Sequence, residues 1–267
     1  MFKCCIFVAL LKVVNKRMER LRIIGRIVLI ISVLVVTILA FVQIPKRQCS
    51  KVEVVAHTQN ESVVLPQADV ERLLSDAGIE TVGARIKEVD LAAITSLLKE
   101  NPYIKEINFV HFAGSRLVID YELRTLLLHV FSADGDQYFV DNEGNLVPYT
   151  PKMKDYLTIA NGNLHQHYKR GAQVGKELTP VVELANLLNA DEFCKAQFRQ
   201  IYRRQNGELE MVSTIGNQVI LFGTMDNAEE KLDNLKKVYQ QGLPRKGYDT
   251  YAYLDARFKN RIIAQHR

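Results

Sequence analysis

IKEINFVHFAGSRLVIDYEL, residues 104–123, decides the fold class. Ile104 to Phe112 is mostly apolar and Ala113-Gly114-Ser115 reads as a turn. Beyond it Leu117, Ile119, Tyr121 and Leu123 alternate with Arg116, Val118, Asp120 and Glu122. A period of two puts one set on a buried sheet face, so the segment reads as two strands joined by a tight turn. Upstream the period changes to that of a helix: Asp90 stands as a candidate cap before the stripe Leu91, Ile94, Leu97 and Leu98. Asn101-Pro102 stops that helix, because the residue before a proline is pushed out of helical conformation. Further back, Pro66 opens a second stripe, Val70, Leu73, Leu74 and Ala77, placed to end at Gly78. Before it Val52, Val54 and Ala56 alternate with Lys51, Glu53 and Val55 as a short strand. The order is β-α-α-β-β, and two helices on one face of a three-stranded sheet enclose a core without help.

Upstream of this module lies IVLIISVLVVTILAFVQI, residues 27–44, 18 residues without a charge. Extended back over Ile23, Ile24 and Gly25, a helix of this length crosses a hydrocarbon core of about 30 Å. The run exceeds the apolar part of a cleaved signal peptide and no small-x-small site follows it, so it reads as an uncleaved anchor. Ahead of it, residues 1–26 hold Lys3, Lys12, Lys16, Arg17, Arg20, Arg22 and Arg26 against Glu19 alone, which predicts the amino terminus inside and the bulk outside. The whole chain carries only +5, so the rest is close to neutral and no general nucleic-acid-binding surface is indicated. The stretch Cys4 to Leu11 is too short to span, and whether the chain starts at Met1 or Met18 stays open. With 48% hydrophobic and 24% charged residues, composition argues against disorder.

Downstream the chain is strand-rich. Leu126 to Phe131 and Gln137 to Val140 flank the turn Asp134-Gly135-Asp136. Thr179-Pro180 opens a helix with Val181, Leu184, Leu187 and Leu188. Glu208 to Ser213 and Gln218 to Phe222 pair around Gly216-Asn217, a hairpin signal. Asp226-x-x-Glu229 resembles a capping box for a helix with Ala228, Leu232, Leu235 and Tyr239, ended by Gly242. Two strands, Thr250 to Phe258 and Arg261 to Gln265, finish the chain.

Residues that could carry chemistry are scattered. His165-Gln166-His167 is a metal-like pair with no third ligand near in sequence, and reads as a solvated loop. Asp134, Asp136, Asp141 and Glu143 lack the register of a calcium loop and sit where turns want Asp or Asn. No nucleophile elbow or phosphate loop is present, and no metal or cofactor is expected. Lys195, Arg199, Arg203 and Arg204, beside Glu208 and Glu210, decorate exposed strand faces in this reading. Cys49 and Cys194 would be free to form a disulfide outside the cytosol, although nothing in their spacing suggests one.

The β-α-α-β-β module with Asn101-Pro102-Tyr103-Ile104 before its second strand resembles a POTRA domain. Gly135-Asp136-Gln137-Tyr138-Phe139-Val140-Asp141-Asn142-Glu143-Gly144-Asn145-Leu146 resembles a hairpin of the FtsQ/DivIB family of bacterial cell-division proteins. Gln200-Ile201-Tyr202 and Glu229-Glu230-Lys231 look most like its Bacteroidetes branch. The sequence departs from the family's pattern at Arg124-Thr125-Leu126, where a proline usually follows the arginine, and at Tyr103, which often is Trp. The resemblance implies an α+β protein divided into a basic cytoplasmic tail (1–26), a single transmembrane helix (27–44), a POTRA domain (45–124) and a β-rich domain (125–267). It also implies a non-enzymatic divisome scaffold of the inner membrane, periplasmic in bulk and enriched at the septum. Its partners would be FtsB-like and FtsL-like bitopic proteins, with FtsK and other divisome components. The family's partner site matches the last strands, here with Tyr251, Tyr253, Phe258, Asn260, Arg261 and Ile262: Phe258 as an aromatic anchor, and Asn260, Arg261 and Ile262 on the pairing edge. In the competing reading Phe258 and Ile262 merely fill the core. The alternative functions are a membrane-tethered envelope enzyme, for which no candidate residues stand out, and a POTRA-type assembly factor, which usually adjoins a membrane barrel.

Overall fold

The computed structural model describes residues 28–39, 47–60, 65–153 and 156–267. Residues 28–39, the middle of the uncharged run, are helical (α1), with exposed apolar side chains. Among the described residues no helix is long and apolar enough to cross a membrane. Ile27 and residues 40–44 of the expected span, and the basic tail, lie outside them.

The first sheet follows the alternation read from the sequence. β1 (Lys51–His57) and β2 (Ile104–Ala113) flank β3 (Arg116–Leu123), β1 parallel to it and β2 antiparallel. Leu117, Ile119, Tyr121 and Leu123 of β3 are fully buried. They pack against Val70 and Leu74 of α2 (Gln67–Asp76) and Ile94 and Leu98 of α3 (Leu91–Lys99), so one sheet face is covered by both helices. Asp90 caps α3, accepting from the N–H groups of Ala92 (2.9 Å) and Ala93 (3.0 Å). Gly78, at φ +73°, lets the chain leave α2 in a conformation that other residues adopt at a cost. The Tyr121 hydroxyl donates to the Leu65 carbonyl at 2.5 Å, and burial pushes its pKa up to about 12.

The second sheet has nine strands in the order β12-β11-β10-β9-β8-β7-β4-β5-β6. These are β4 (Leu126–Phe131), β5 (Gln137–Asp141), β6 (Leu146–Pro148), β7 (Thr158–Gly162), β8 (Phe198–Arg203), β9 (Leu209–Ser213), β10 (Val219–Gly223), β11 (Tyr251–Asp255) and β12 (Ile263–His266). The pairs β4–β7, β7–β8 and β10–β11 are parallel, the rest antiparallel. Helices α4 (Thr179–Ala190), α5 (Glu192–Gln197) and α6 (Ala228–Lys237) bury Leu184, Leu188, Cys194, Leu232 and Leu235 in a core shared with Leu128, Tyr138, Phe198, Ile201, Ile220 and Phe222. Pro180 sits in the first turn of α4 as expected, and Gly216 and Asn217 both take positive φ (81° and 48°) between β9 and β10.

Two local expectations fail. The capping box before α6 does not form: Asn227 holds the N-cap position in the left-handed region without a side-chain cap, and Asp226 instead accepts from the Thr224 hydroxyl at 2.8 Å. Nor does Gly242 end that helix. The chain passes through a π-helical turn, Val238–Gly242, into α7 (Leu243–Lys246) and is released at Gly247, φ +95°. Cys49 and Cys194 are free and buried in different cores.

The two sheets meet where β3 runs into β4. Arg124 Nη1 lies 2.8 Å from Asp141 Oδ2, and Asp141 also accepts from Glu143 N (3.0 Å), Asn145 N (2.7 Å) and Asn145 Nδ2 (2.8 Å). This acid is therefore both the organiser of the β5–β6 turn and a counter-ion for the strand arriving from the first sheet. The Asn60 side chain acts as a mock neighbouring strand, accepting from Leu126 N at 2.8 Å and donating to Leu126 O at 3.1 Å. A proline at 126 would lack that N–H. Tyr103 adds a hydrogen bond from its hydroxyl to Pro148 O, 3.1 Å.

Candidate partner-binding edge

The two ends of the nine-stranded sheet differ. At the β6 end, Pro148 offers no N–H, and the loop 172–174 lies along the outer side: Leu146 N donates to Ala172 O and Val174 N to Gly144 O, both at 2.9 Å. At the other end β12 pairs only with β11, in the register Asp255↔Ile263, Leu254↔Ala264 and Tyr253↔Gln265, and all four of its residues are exposed. Among the described residues nothing covers its outer side. An uncovered strand of this kind presents N–H and C=O groups in a row, a template for an added strand.

The residues singled out from the sequence gather on this hairpin, though not all in strands. Tyr251 begins β11 and packs its ring 4.7 Å from that of His266. Tyr253 is 43% exposed and faces Val219 on one side and Gln265 on the other. Phe258, Asn260, Arg261 and Ile262 all lie in the connection between β11 and β12, whereas Phe258, Arg261 and Ile262 were expected on the strands themselves. Asn260 takes φ +60°, which tightens that connection and shortens both strands. Phe258 is 41% exposed, with the Arg261 guanidinium 5.1 Å from its ring centre. Ile262 instead packs against the core. Ile263, inside the expected last strand, and His266, beyond its expected end, are the first and last residues of β12.

The hairpin is fixed from beneath. Asp255 holds Arg257 through two side-chain hydrogen bonds, Nε to Oδ1 at 2.9 Å and Nη2 to Oδ2 at 2.7 Å. The guanidinium keeps that carboxyl below the usual carboxylate range. The Arg257 stem lies over Gly223 (φ +78°), where an added Cβ would come within 2.9 Å of Arg257 Cγ. Next to it the buried Lys231 donates to Phe222 O (3.1 Å) and Thr224 O (2.8 Å), closing the end of β10, and burial lowers its pKa. Under β11, Gln218 Oε1 accepts from Tyr239 Oη at 2.9 Å and Ser213 Oγ at 2.8 Å, while Gln218 Nε2 donates to the Tyr248 carbonyl. Burial pushes the Tyr239 hydroxyl up to about 12.

A family model described as FtsQ/DivIB, C-terminal related, matches residues 127–265, just over half of the chain. The chain belongs to the FtsQ/DivIB family. A POTRA-like domain model matches residues 47–121, so this FtsQ/DivIB protein carries a POTRA domain ahead of its sheet-rich region. No curated protein matches the chain. The FtsQ/DivIB family is a non-enzymatic family that acts by protein–protein contact in the divisome, at the division septum.

The other constellations are placed as follows. His165 and His167 do meet carboxylates: His165 Nδ1 is 3.1 Å from Asp134 Oδ1, and His167 Nδ1 is 2.9 Å from Asp136 Oδ2. The imidazole of His167 holds the Asp136 carboxyl below its usual range. Among the described residues no three His, Cys, Asp or Glu side chains are placed to hold a metal. In the basic cluster, Arg204 pairs with Glu210 (3.2 Å), Arg203 donates to Asn163 O (2.7 Å), and Arg199 lies over the Tyr156 ring.

Proposed function

We propose that the chain is a divisome scaffold anchored in the inner membrane by residues 27–44, with its amino terminus cytoplasmic and both sheets periplasmic. In that place it links early and late division proteins by holding FtsB-like and FtsL-like bitopic partners against the β11–β12 hairpin. The observation that carries this reading is the uncovered β12 strand, of which residues 263–265 fall in the segment matched by the family model. A partner segment adds to β12 through backbone hydrogen bonds, and side chains at the connection select it. Phe258 is the anchor: an exposed aromatic ring beside an arginine is the kind of residue that dominates interface energetics. Tyr251, Tyr253, Asn260 and Arg261 shape the surface around it, with Ile262 seating the connection on the core.

Two variants test this with the tagged full-length chain and its co-purified partners. Phe258→Glu places a charge where the partner's apolar surface would desolvate it. Ala264→Pro removes an N–H from β12. Both are expected to lose capture of the FtsB–FtsL pair while keeping the parent melting temperature in the POTRA-containing chain. Capture at unchanged affinity by both variants refutes the assignment.

A further inference from the structure

A cleft of about 680 Å³ opens between α4 and the start of α6. Its apolar lining is Leu187, Met225 and Ala228, and its charged lining is Glu183, Glu229 and Glu230, without a single cation. A smaller cleft of about 200 Å³ shares Leu187 and Glu229 with it and continues along the two helices to the Asp191–Lys236 ion pair. Many acids elsewhere on this molecule are matched: Asp141 by Arg124, Asp255 by Arg257, Glu210 by Arg204 and Asp69 by Lys152. Glu183, Glu229 and Glu230 have no such cation among the described residues. The N-terminal position of Glu229 and Glu230 on α6 accounts for those two locally, since a helix start favours negative charge. It does not account for Glu183, which joins them from another helix across an apolar floor.

We propose that this cleft docks a basic amphipathic helix of a partner protein, with Leu-sized side chains on the floor made by Leu187, Met225 and Ala228 and Lys or Arg facing the three glutamates. Apolar floor and single-sign rim together are the two halves of helix-in-groove recognition. The rim charges select the partner and speed its arrival, and the floor sets how long it stays. The cleft is a different surface from the β12 strand but borders the β11–β12 connection, since Asn227 and Glu230 also line a small cleft with Phe258 and Asn260; direct peptide titration reads it without the β12 partners.

The probe is a roughly 16-residue Leu/Lys amphipathic peptide, about four turns long, labelled for fluorescence anisotropy and titrated with the full-length chain. A matched peptide with Glu in place of Lys is the control. Binding of the Lys peptide is expected to weaken on the order of tenfold in the Glu183→Gln, Glu229→Gln, Glu230→Gln triple variant and to fall with added salt. Leu187→Asp is expected to abolish it. The triple variant changes mostly exposed side chains, and circular dichroism melting verifies that it folds. Equal affinity of parent and triple variant, equal binding of the Glu peptide, or no binding at millimolar peptide overturns the proposal. So does self-association of the chain that the triple variant abolishes, because the occupant would then be a second copy.

Discussion

Replacing Asp141 by alanine is expected to cost more than any surface change to this protein. The carboxylate is almost completely enclosed and receives four hydrogen bonds, from Arg124, from Glu143 N and from both Asn145 nitrogens. Asp141→Ala leaves the Arg124 guanidinium, itself three-quarters buried, without its counter-ion and leaves two turn N–H groups unpaired. Removing one partner of a buried ion pair costs about 3–5 kcal/mol. Arg124→Met is the gentler perturbation: the carboxylate keeps its three other donors, so the loss is nearer one charged hydrogen bond, about 1.5–3 kcal/mol. Chemical denaturation of the full-length chain in mild detergent, followed by far-UV circular dichroism, measures both. Asp141→Ala is also expected to split one unfolding transition into two, because the same carboxylate ties the strand leaving the first sheet to the turn of the second. An Asp141→Ala midpoint within experimental error of the parent refutes the reasoning, as does a larger loss in Arg124→Met than in Asp141→Ala.

Gly223→Ala forces a side chain into the left-handed region, about 1–2 kcal/mol, and pushes on Arg257, so both stability and partner capture should fall. A variant that captures partners normally would show that the Arg257 seat is unimportant. His129→Phe addresses pH: burial holds the His129 imidazole pKa below its ordinary value, and its Nε2 has no hydrogen-bond partner. The unfolded chain takes up that proton first, so the stability due to keeping it neutral is complete above about pH 6.5 and declines as pH falls below that. Melting temperatures of the parent should therefore drop more steeply below pH 6.5 than those of His129→Phe, and parallel curves would refute the assignment.

The first sheet was legible because its signals are local. Four alternating apolar residues in β3, the Asp90 cap and the glycine after α2 each act within a few residues of themselves. The order of the second sheet was not. Three of its strand pairs are parallel, and their partners are separated by long crossover segments that no short-range pattern records. β7, Thr-Ile-Ala-Asn-Gly, shows no alternation to betray it, since it is covered on one face and short. The capping box failed because the helix starts one residue later, with Asn227 and not Asp226 at the N-cap, and the Asp226 carboxylate accepts from the Thr224 hydroxyl. The choice of the candidate site rests on the family resemblance alone. The expected strands left only residues 259 and 260 between them, whereas β11 ends at Asp255 and β12 begins at Ile263, because apolar content at Phe258 and Ile262 was read as strand. His165 and His167 lacked visible partners for a different reason: Asp134 and Asp136 are distant in sequence and are brought to them by the parallel pairing of β4 and β7.

The unequal ends of the large sheet have a consequence for stoichiometry. Strand addition leaves a fresh edge each time, so a sheet open at both ends can extend without limit into a filament. Here the β6 end is sealed by Pro148 and the 172–174 loop. Growth can proceed from β12 only, and every copy that joins does so with its one available end. Two copies meeting edge to edge would leave only sealed ends outside, and a partner contributing one strand whose far side is occupied would stop the series at once. The architecture thus counts to one, a property suited to a complex that must close at defined composition.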